Sequence, residues 1–392
     1  LEFRRVLFRS EEPWTDLTTD ADTLLQRLFP LHRSLAGANN RKTLVILQNY
    51  CSRLCVHEVP SGTQAFDWTV PKEWEIKQAY IKEVDGNVIC DARSSNLHVV
   101  SYSQPIQAIL SLAELRQHLH WHPTLDDAIP YVTSYYRDYW GFCLSKSVVD
   151  SLRDVSYEVC IDAQHVHGSM SYGEIYIPGR SSRELVFSTY ICHPSMANNE
   201  LSGPILTILL ARMLENRELN YSYRFLFLPE TIGSIYYLSR YLSQLRSCAM
   251  AIFCVTCVGD PGPYSYLASR SANTYADRLI KHVARSSEID LVSYSWLDRG
   301  SDERQYGAPT VDLPVASLMR TKYGEYTEYH TSLDNLDLVN GRQIVDTLKI
   351  YSKIVELNEQ SLFYRSHFEC EPMLSPRGLY PSLSTLESAN SV

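Results

Sequence analysis

The feature that most limits what this chain can fold into is an alternation that sets in after about residue 150. The segments "LVFSTYICH", "YRFLFLPE", "AMAIFCVTCVG" and "PVASLMR" are short apolar runs rich in β-branched and aromatic residues. Between them stand "GPILTILLARMLENR", "IGSIYYLSRYLSQL" and "NTYADRLIKHVARSS", whose apolar residues recur at helical spacing. Strands separated by helices pair in parallel, with the crossovers covering both faces of the sheet. The pattern therefore predicts an α/β fold: a mostly parallel sheet flanked by helices. In such sheets catalytic groups collect at the C-terminal ends of the strands.

Polar residues stand at those ends. His193 directly follows "LVFSTYIC", Glu230 follows "YRFLFLP", and Asp260 follows "FCVTCVG". Asp302 and His330 fall in loops near the last strands. Imidazoles and carboxylates at loop starts can hold Zn²⁺ with a position open for water, and a carboxylate that is not a ligand can act as general base on that water. Glu230 has the position for that role. Each residue also has a plainer explanation. His193 fits a buried imidazole bonding a loop carbonyl, Glu230 a helix cap, and His330 a partner for Asp334. Asp302 and Glu303 fit solvated loop charges, and Asp260 in "GDPGP" fits a turn.

Ahead of the alternation the chain changes character twice. Residues 14–56 carry two amphipathic stretches broken at Pro30. Residues 57–145 alternate apolar and polar positions, with turn signals at Pro60-Ser61-Gly62 and Asp85-Gly86, and read as a β-rich inserted subdomain. Its aromatic residues, Trp68, Trp74, Trp121 and Trp140 among them, read as a small packed core. His118, His120 and His122 read as surface residues, and "DAQHVHGSMSYGE" as a β-hairpin. Residues 1–10 read as a non-native leader. The α/β domain is assigned to 11–56 and 146–360, and residues 361–392 to a linker.

Composition removes several classes of function. A formal net charge of -9 argues against nucleic-acid binding, which needs clustered Lys and Arg. The 10 cysteines are scattered through apolar runs in a long chain, unlike a disulfide scaffold, and Cys254 and Cys257 read as two buried thiols. No run is long and apolar enough for a membrane span, and no export signal is recognisable, so the expected compartment is the cytoplasm. A homo-oligomer is compatible with all of this.

The segment "CHPSMANNELSGP" resembles the first metal-binding motif of the zinc exopeptidases of the aminopeptidase-S and transferrin-receptor type. "PETIGSIYYL", "RGSDERQYGAPTVDLPVASL" and "TEYHTSLDNLDLVN" resemble that family's base, Ser-Asp and closing-His motifs. "SGTQAFDWTVPKEWEIKQAYI", "IPYVTSYY", "WGFCLS" and "EPMLSPRGLYPSLS" resemble a bacterial aminopeptidase-like branch with a β insert and a C-terminal winged helix; the winged helix would follow residue 392 and is missing. The resemblance runs over residues 20–385. It implies a zinc exopeptidase-like (phosphorylase/hydrolase-like) fold, His193 and His330 as metal ligands, and Glu230 as general base.

Departures from the motif alter the expected site. Asn199 stands at the bridging Asp position, Thr231 at the second glutamate, and Thr256-Cys257 where the third-strand Asp falls. The resemblance therefore implies one Zn²⁺ rather than two, held by His193, His330 and an oxygen from Asn199, Asp302 or Asp260. The implied reaction is hydrolysis of an amide bond in a small peptide or aminoacylated metabolite. Tyr323, Tyr326 and Tyr329 are candidate oxyanion donors, and Asp302 and Glu325 candidate partners for a substrate ammonium. The alternative is a catalytically degenerate binding or regulatory module.

Overall fold

Two strands with no exposed residue anchor the architecture: all seven residues of Glu184–Tyr190 and all seven of Ser222–Leu228 are buried. A strand can be apolar on consecutive residues only if both sheet faces are covered. The computed structural model, which describes residues 12–361, 363 and 367–379, shows both covers. Its main sheet comprises β1 (Cys55–Pro60), β2 (Ser169–Ile177), β3 (Glu184–Tyr190), β4 (Ser222–Leu228), β5 (Ala249–Cys254), β6 (Tyr264–Leu267), β7 (Leu291–Tyr294) and β8 (Val315–Met319). They are ordered β1-β2-β4-β3-β5-β8-β6-β7. The central four, β4-β3-β5-β8, are parallel, as the alternation predicts. β1 and β2 run antiparallel on one side, and β6 antiparallel to β8 on the other.

The helices used below are α1 (Glu12–Leu28), α2 (Ala38–Gln48), α3 (Ser202–Leu214), α4 (Ile232–Cys248), α5 (Tyr275–Ser286), α6 (Glu303–Tyr306) and α7 (Gly341–Gln360). Successive strand residues point to opposite faces, so Phe187, Phe225 and Phe253 share one face while Val186, Leu226 and Ile252 share the other. The first set packs with Leu24 of α1, Leu206 of α3 and Tyr351 of α7. Within it, Phe187 stacks on Phe225 and on Phe253 with ring centroids 5.3 Å apart in each pair. The second set packs with Tyr237 and Leu238 of α4 and with Trp74 and Phe142.

Trp74 belongs to a second, four-stranded antiparallel sheet built from Val88–Asp91, Glu73–Glu83, Ser156–Val166 and Ile106–Ser111. Three of its four strands come from the expected β-rich insert, 57–145, and the fourth, Ser156–Val166, lies outside those bounds. β1 pairs with β2 in the main sheet, while Ser156–Val166 pairs in the small one. The expected hairpin over 162–174 is therefore absent. Its two strands go to different sheets, because Ser156–Val166 already has partners on both sides. Gly168 sits where the chain passes between the sheets. A Cβ there would meet Glu73 Oε1 at 2.3 Å, while Glu73 accepts from Ser169 N and pairs with Arg41.

The described residues up to Glu359 form one compact unit that includes the insert, and those from Gln360 onward form another. Among the described residues no helix is long and apolar enough to cross a membrane. All ten cysteines are free, with Cys254 and Cys257 buried. The expected leader 1–10 and most of the expected linker's end lie outside the described residues.

Candidate active site

His193 and Glu230 follow the C-terminal ends of β3 and β4, which pair in parallel register up to Tyr190 and Leu228. The two side chains therefore emerge side by side. The His193 Nε2 to Glu230 Oε2 distance is 3.6 Å. His330 arrives from the loop after β8, its ring centroid 5.6 Å from that of His193. Together they line a cleft of about 430 Å³.

Each of the three is held from behind. His193 Nδ1 meets Glu200 Oε2 at 2.8 Å, and Glu200 is fully buried. Glu200 Oε1 lies 3.6 Å from Arg33 Nε, also fully buried, which donates to the His193 carbonyl at 3.1 Å. A carboxylate on Nδ1 fixes the ring's orientation and leaves Nε2 facing the cleft. Burial would lower the His193 pKa, but Cys192, Tyr131 and Glu200 turn the net shift well upward. Glu230 Oε1 accepts from Ser301 Oγ at 2.7 Å. His330 stacks on Tyr329, centroids 3.9 Å apart, and its Nε2 lies 3.1 Å from Asn199 Oδ1. Burial, then the neighbouring His193, lowers the His330 pKa to about 3, so this ring is neutral at physiological pH.

Unusual backbone is concentrated here. Ala197–Leu201 is a π-helical turn, a form often found at functional sites. Ser195, Thr231, Cys257 and His330 all have positive φ. Thr231, with φ 66 and ψ -75, makes a strained γ-turn in which Ile232 N donates to the Glu230 carbonyl at 2.8 Å. A β-branched residue avoids this region unless its surroundings enforce it. Asp302 does so, accepting from Thr231 N and Ser234 Oγ at 2.8 Å each.

The donor set fits one metal ion and not two. Ligand atoms about 2.0–2.1 Å from a tetrahedral zinc lie roughly 3.3 Å from one another. The Asn199–His330 separation, 3.1 Å, is near that spacing, and the His193 ring faces the same cleft with its centroid 5.6 Å from that of His330. Nothing here can bridge two ions: Asn199 is neutral, its Nδ2 donates to Tyr190 OH, and Thr256 Oγ1 sits 2.5 Å from that same hydroxyl. Cys192, His193 and Glu200 also have potential ligand atoms within 4.8 Å of one another. Nδ1, however, is already bonded to Glu200, and burial pushes the Cys192 thiol to about 11.

Several expected site residues lie elsewhere. Asp302 is spent on the α4 N-terminus and does not line the cleft. Asp260 accepts from Asn198, Gly262 and Thr321 and serves as a turn anchor. Tyr323 OH accepts from Gly300 N and donates to Glu303, and Tyr326 OH donates to Asp334. Neither tyrosine reaches the cleft, because both hydroxyls are spent on buried carboxylates. Glu325 is half exposed, 3.8 Å from Lys322. His118 stacks on Trp140, and His120 bonds Tyr139, so the alternating histidines form no cluster.

The sequence reading missed Glu200, Arg33 and the cleft's aromatic wall. Tyr131, Tyr135, Tyr136 and Trp68 come from the insert and line the cleft. Tyr131 lies edge-on to His330 with centroids 5.3 Å apart, and its hydroxyl is 2.9 Å from that of Tyr135. Glu200 did carry a signal: it is an acid among the polar residues between His193 and Gly203. Arg33, amid "PLHRSLAG", carried none.

A histidine- and glutamate-lined cleft at the C-terminal edge of this sheet makes the chain aminopeptidase-like in fold. Residues 22–361 match a family described as a domain of unknown function, DUF4910, and the chain belongs to that family. A Clostridium acetobutylicum protein named for polysaccharide biosynthesis and an aminopeptidase-like domain is 43% identical over 358 residues, covering 91% of this chain and 82% of that protein. A crystal structure from Clostridium acetobutylicum, solved under the name of a peptidase, superposes with a TM-score of 0.86 at 41% identity, over 94% of this chain and 86% of the other. A zinc aminopeptidase from Bacillus subtilis shares the fold with a TM-score of 0.65 at 12% identity, over 89% and 95%.

Proposed function

We propose that this chain hydrolyses an amide bond in a small substrate, a short peptide or an acylated metabolite, with Glu230 as general base. The observation that carries the reading is the placement of Glu230. One oxygen is fixed by Ser301, and the other faces His193 Nε2 at 3.6 Å in the cleft. A carboxylate so placed takes a proton from water and returns it to the leaving amine. One zinc ion on His193, His330 and Asn199 would supply a polarised carbonyl and a more acidic water. Glu200 keeps His193 Nε2 turned to the cleft. In the Tyr131–Tyr135 pair one hydroxyl hydrogen remains free for a developing oxyanion.

Asn199 favours a second reading, a binding module descended from an enzyme, because a neutral amide is a weaker ligand than a carboxylate. Metal content measured by plasma mass spectrometry, on the full chain beside His193→Ala and His330→Ala, separates the two. The expected result is about one zinc per chain, lost in both variants. Amide hydrolysis should then disappear in Glu230→Gln while zinc is retained. An absence of zinc in the wild type after loading and dialysis leaves the binding module.

A further inference from the structure

We infer that the cleft is selective for an amide that carries a carboxylate and lacks a free α-ammonium group. The inference rests on the hydrolase reading and narrows its substrate class. A substrate ammonium entering a cleft sheds water, which requires a carboxylate not otherwise engaged. Among the described residues Glu230 is the one carboxylate lining the cleft, and in the hydrolase reading it is the base. Four further acids near the site are engaged or lie outside the lining. Glu200 is on His193. Glu303 accepts from Ser301 N, Ser317 Oγ and Tyr323 OH. Asp334 accepts from the Asn199 amide and from Tyr326. Asp302 Oδ2 has no partner, but it is buried outside the cleft lining.

Among the described residues that line the cleft there is one arginine. It is Arg304, with Nε donating to the Ser301 carbonyl at 3.2 Å and Nη2 to Thr231 Oγ1 at 3.4 Å. Both acceptors are neutral and the side chain is exposed, so the charge is open to solvent and to an anionic ligand. A guanidinium so held suits a carboxylate through two parallel hydrogen bonds. The cleft is also lined by Trp68 and Tyr136, which meet edge to face with centroids 5.7 Å apart, and Tyr136 is more than half exposed. That pair offers a flat apolar surface for a planar group on the same substrate.

The matched probes are N-benzoylglycine, which has a ring, an amide and a carboxylate, and phenylalanine amide, which has a ring, an amide and an ammonium. Binding of each is measured by calorimetry on the unmodified full chain, on Arg304→Gln and on Arg304→Lys. The unmodified chain should prefer N-benzoylglycine by roughly tenfold or more, Arg304→Gln should lose most of that preference, and Arg304→Lys should keep part of it. Equal or reversed preference, binding of neither probe, or a preference that survives in Arg304→Gln overturns the inference. Product release is followed on the same samples. An Arg304-dependent preference without glycine release supports the selectivity and removes the hydrolase reading. Release of ammonia from phenylalanine amide without any preference for the anion does the reverse.

Discussion

A neutral imidazole can bind a metal through either nitrogen, and Glu200 removes that choice for His193. With Nδ1–H donated to Glu200, Nε2 is left as the acceptor facing the cleft. Glu200→Gln keeps the shape, but its amide can donate to Nδ1 and push the proton to Nε2. Zinc affinity should then fall about 10–100-fold, and the ¹⁵N shifts of His193 should show the exchanged tautomer. Unchanged affinity with unchanged shifts would discard this role. Asp302 gives a second prediction, about pH. Burial, then Glu230, raises its carboxyl from 3.8 to about 7. Between those values the native state keeps a proton that the unfolded chain has released, so stability is present below about pH 4 and is lost as pH rises through 7. Asp302→Asn retains an acceptor for Thr231 N and cannot ionise. The fall in urea midpoint from pH 5 to pH 8 should therefore be smaller in the variant, though not zero, because Asp334 is raised to about 6 by its own burial. Equal falls would show that Asp302 does not carry the dependence. His193 and Glu230 were legible in the sequence because strand ends in a parallel sheet converge by topology, and His330 through a motif that resembles the closing His motif of the zinc exopeptidases. Asp302 was legible as an acid but not as a turn anchor, since no periodicity reports a hydrogen bond from a distant loop.

The β-rich insert contributes directly to the site through a short clasp. Pro130 bridges Thr331, Tyr131 N donates to the His330 carbonyl at 2.8 Å, and Ile129 N donates to Ser332 Oγ at 3.0 Å. Ser332 N returns a bond to the Ile129 carbonyl at 2.8 Å. The clasp sets the loop that carries His330 and brings Tyr131 against both histidines. Ser332→Ala strands the Ile129 amide, at a cost of about 1–3 kcal/mol. Amide exchange should speed up at Ile129 and Tyr131 while β3 and β4 stay protected; uniform exchange across the chain would argue that the clasp holds nothing locally. These contacts could not be read from the sequence. Alternation identifies a strand but not its partner, so the bounds 57–145 place most of β1 inside the insert and Ser156–Val166 outside it. Aromatic density in the insert looked like core for the same reason: Trp74 is core, whereas Trp68, Tyr131 and Tyr136 have one face on the cleft.

At the scale of the whole molecule, the fold class was legible because burial on both faces leaves its mark on consecutive residues, as in "LVFSTY" and "RFLFL". What the sequence did not disclose is that the second face of the main sheet is covered by the insert as well as by α4. Val186, Leu226 and Ile252 share an apolar cluster with Trp74, Phe142, Val159 and Ile161. A shared core couples the two sheets, so they should unfold in one transition rather than as two domains. Four of the six tryptophans, Trp68, Trp74, Trp121 and Trp140, lie in the insert, and fluorescence reports chiefly on it. Far-ultraviolet dichroism is weighted toward the helices around the main sheet. The two signals should give coincident urea midpoints. Phe187→Ala, on the opposite face of β3 and stacked between Phe225 and Phe253, removes about 3–5 kcal/mol and makes no contact with the insert cluster. If the coupling is real, both midpoints should move down together by the same amount. A fluorescence midpoint that stays in place while the dichroism midpoint falls would mean that the insert folds on its own, and that the site it helps to line is assembled by docking two independent bodies.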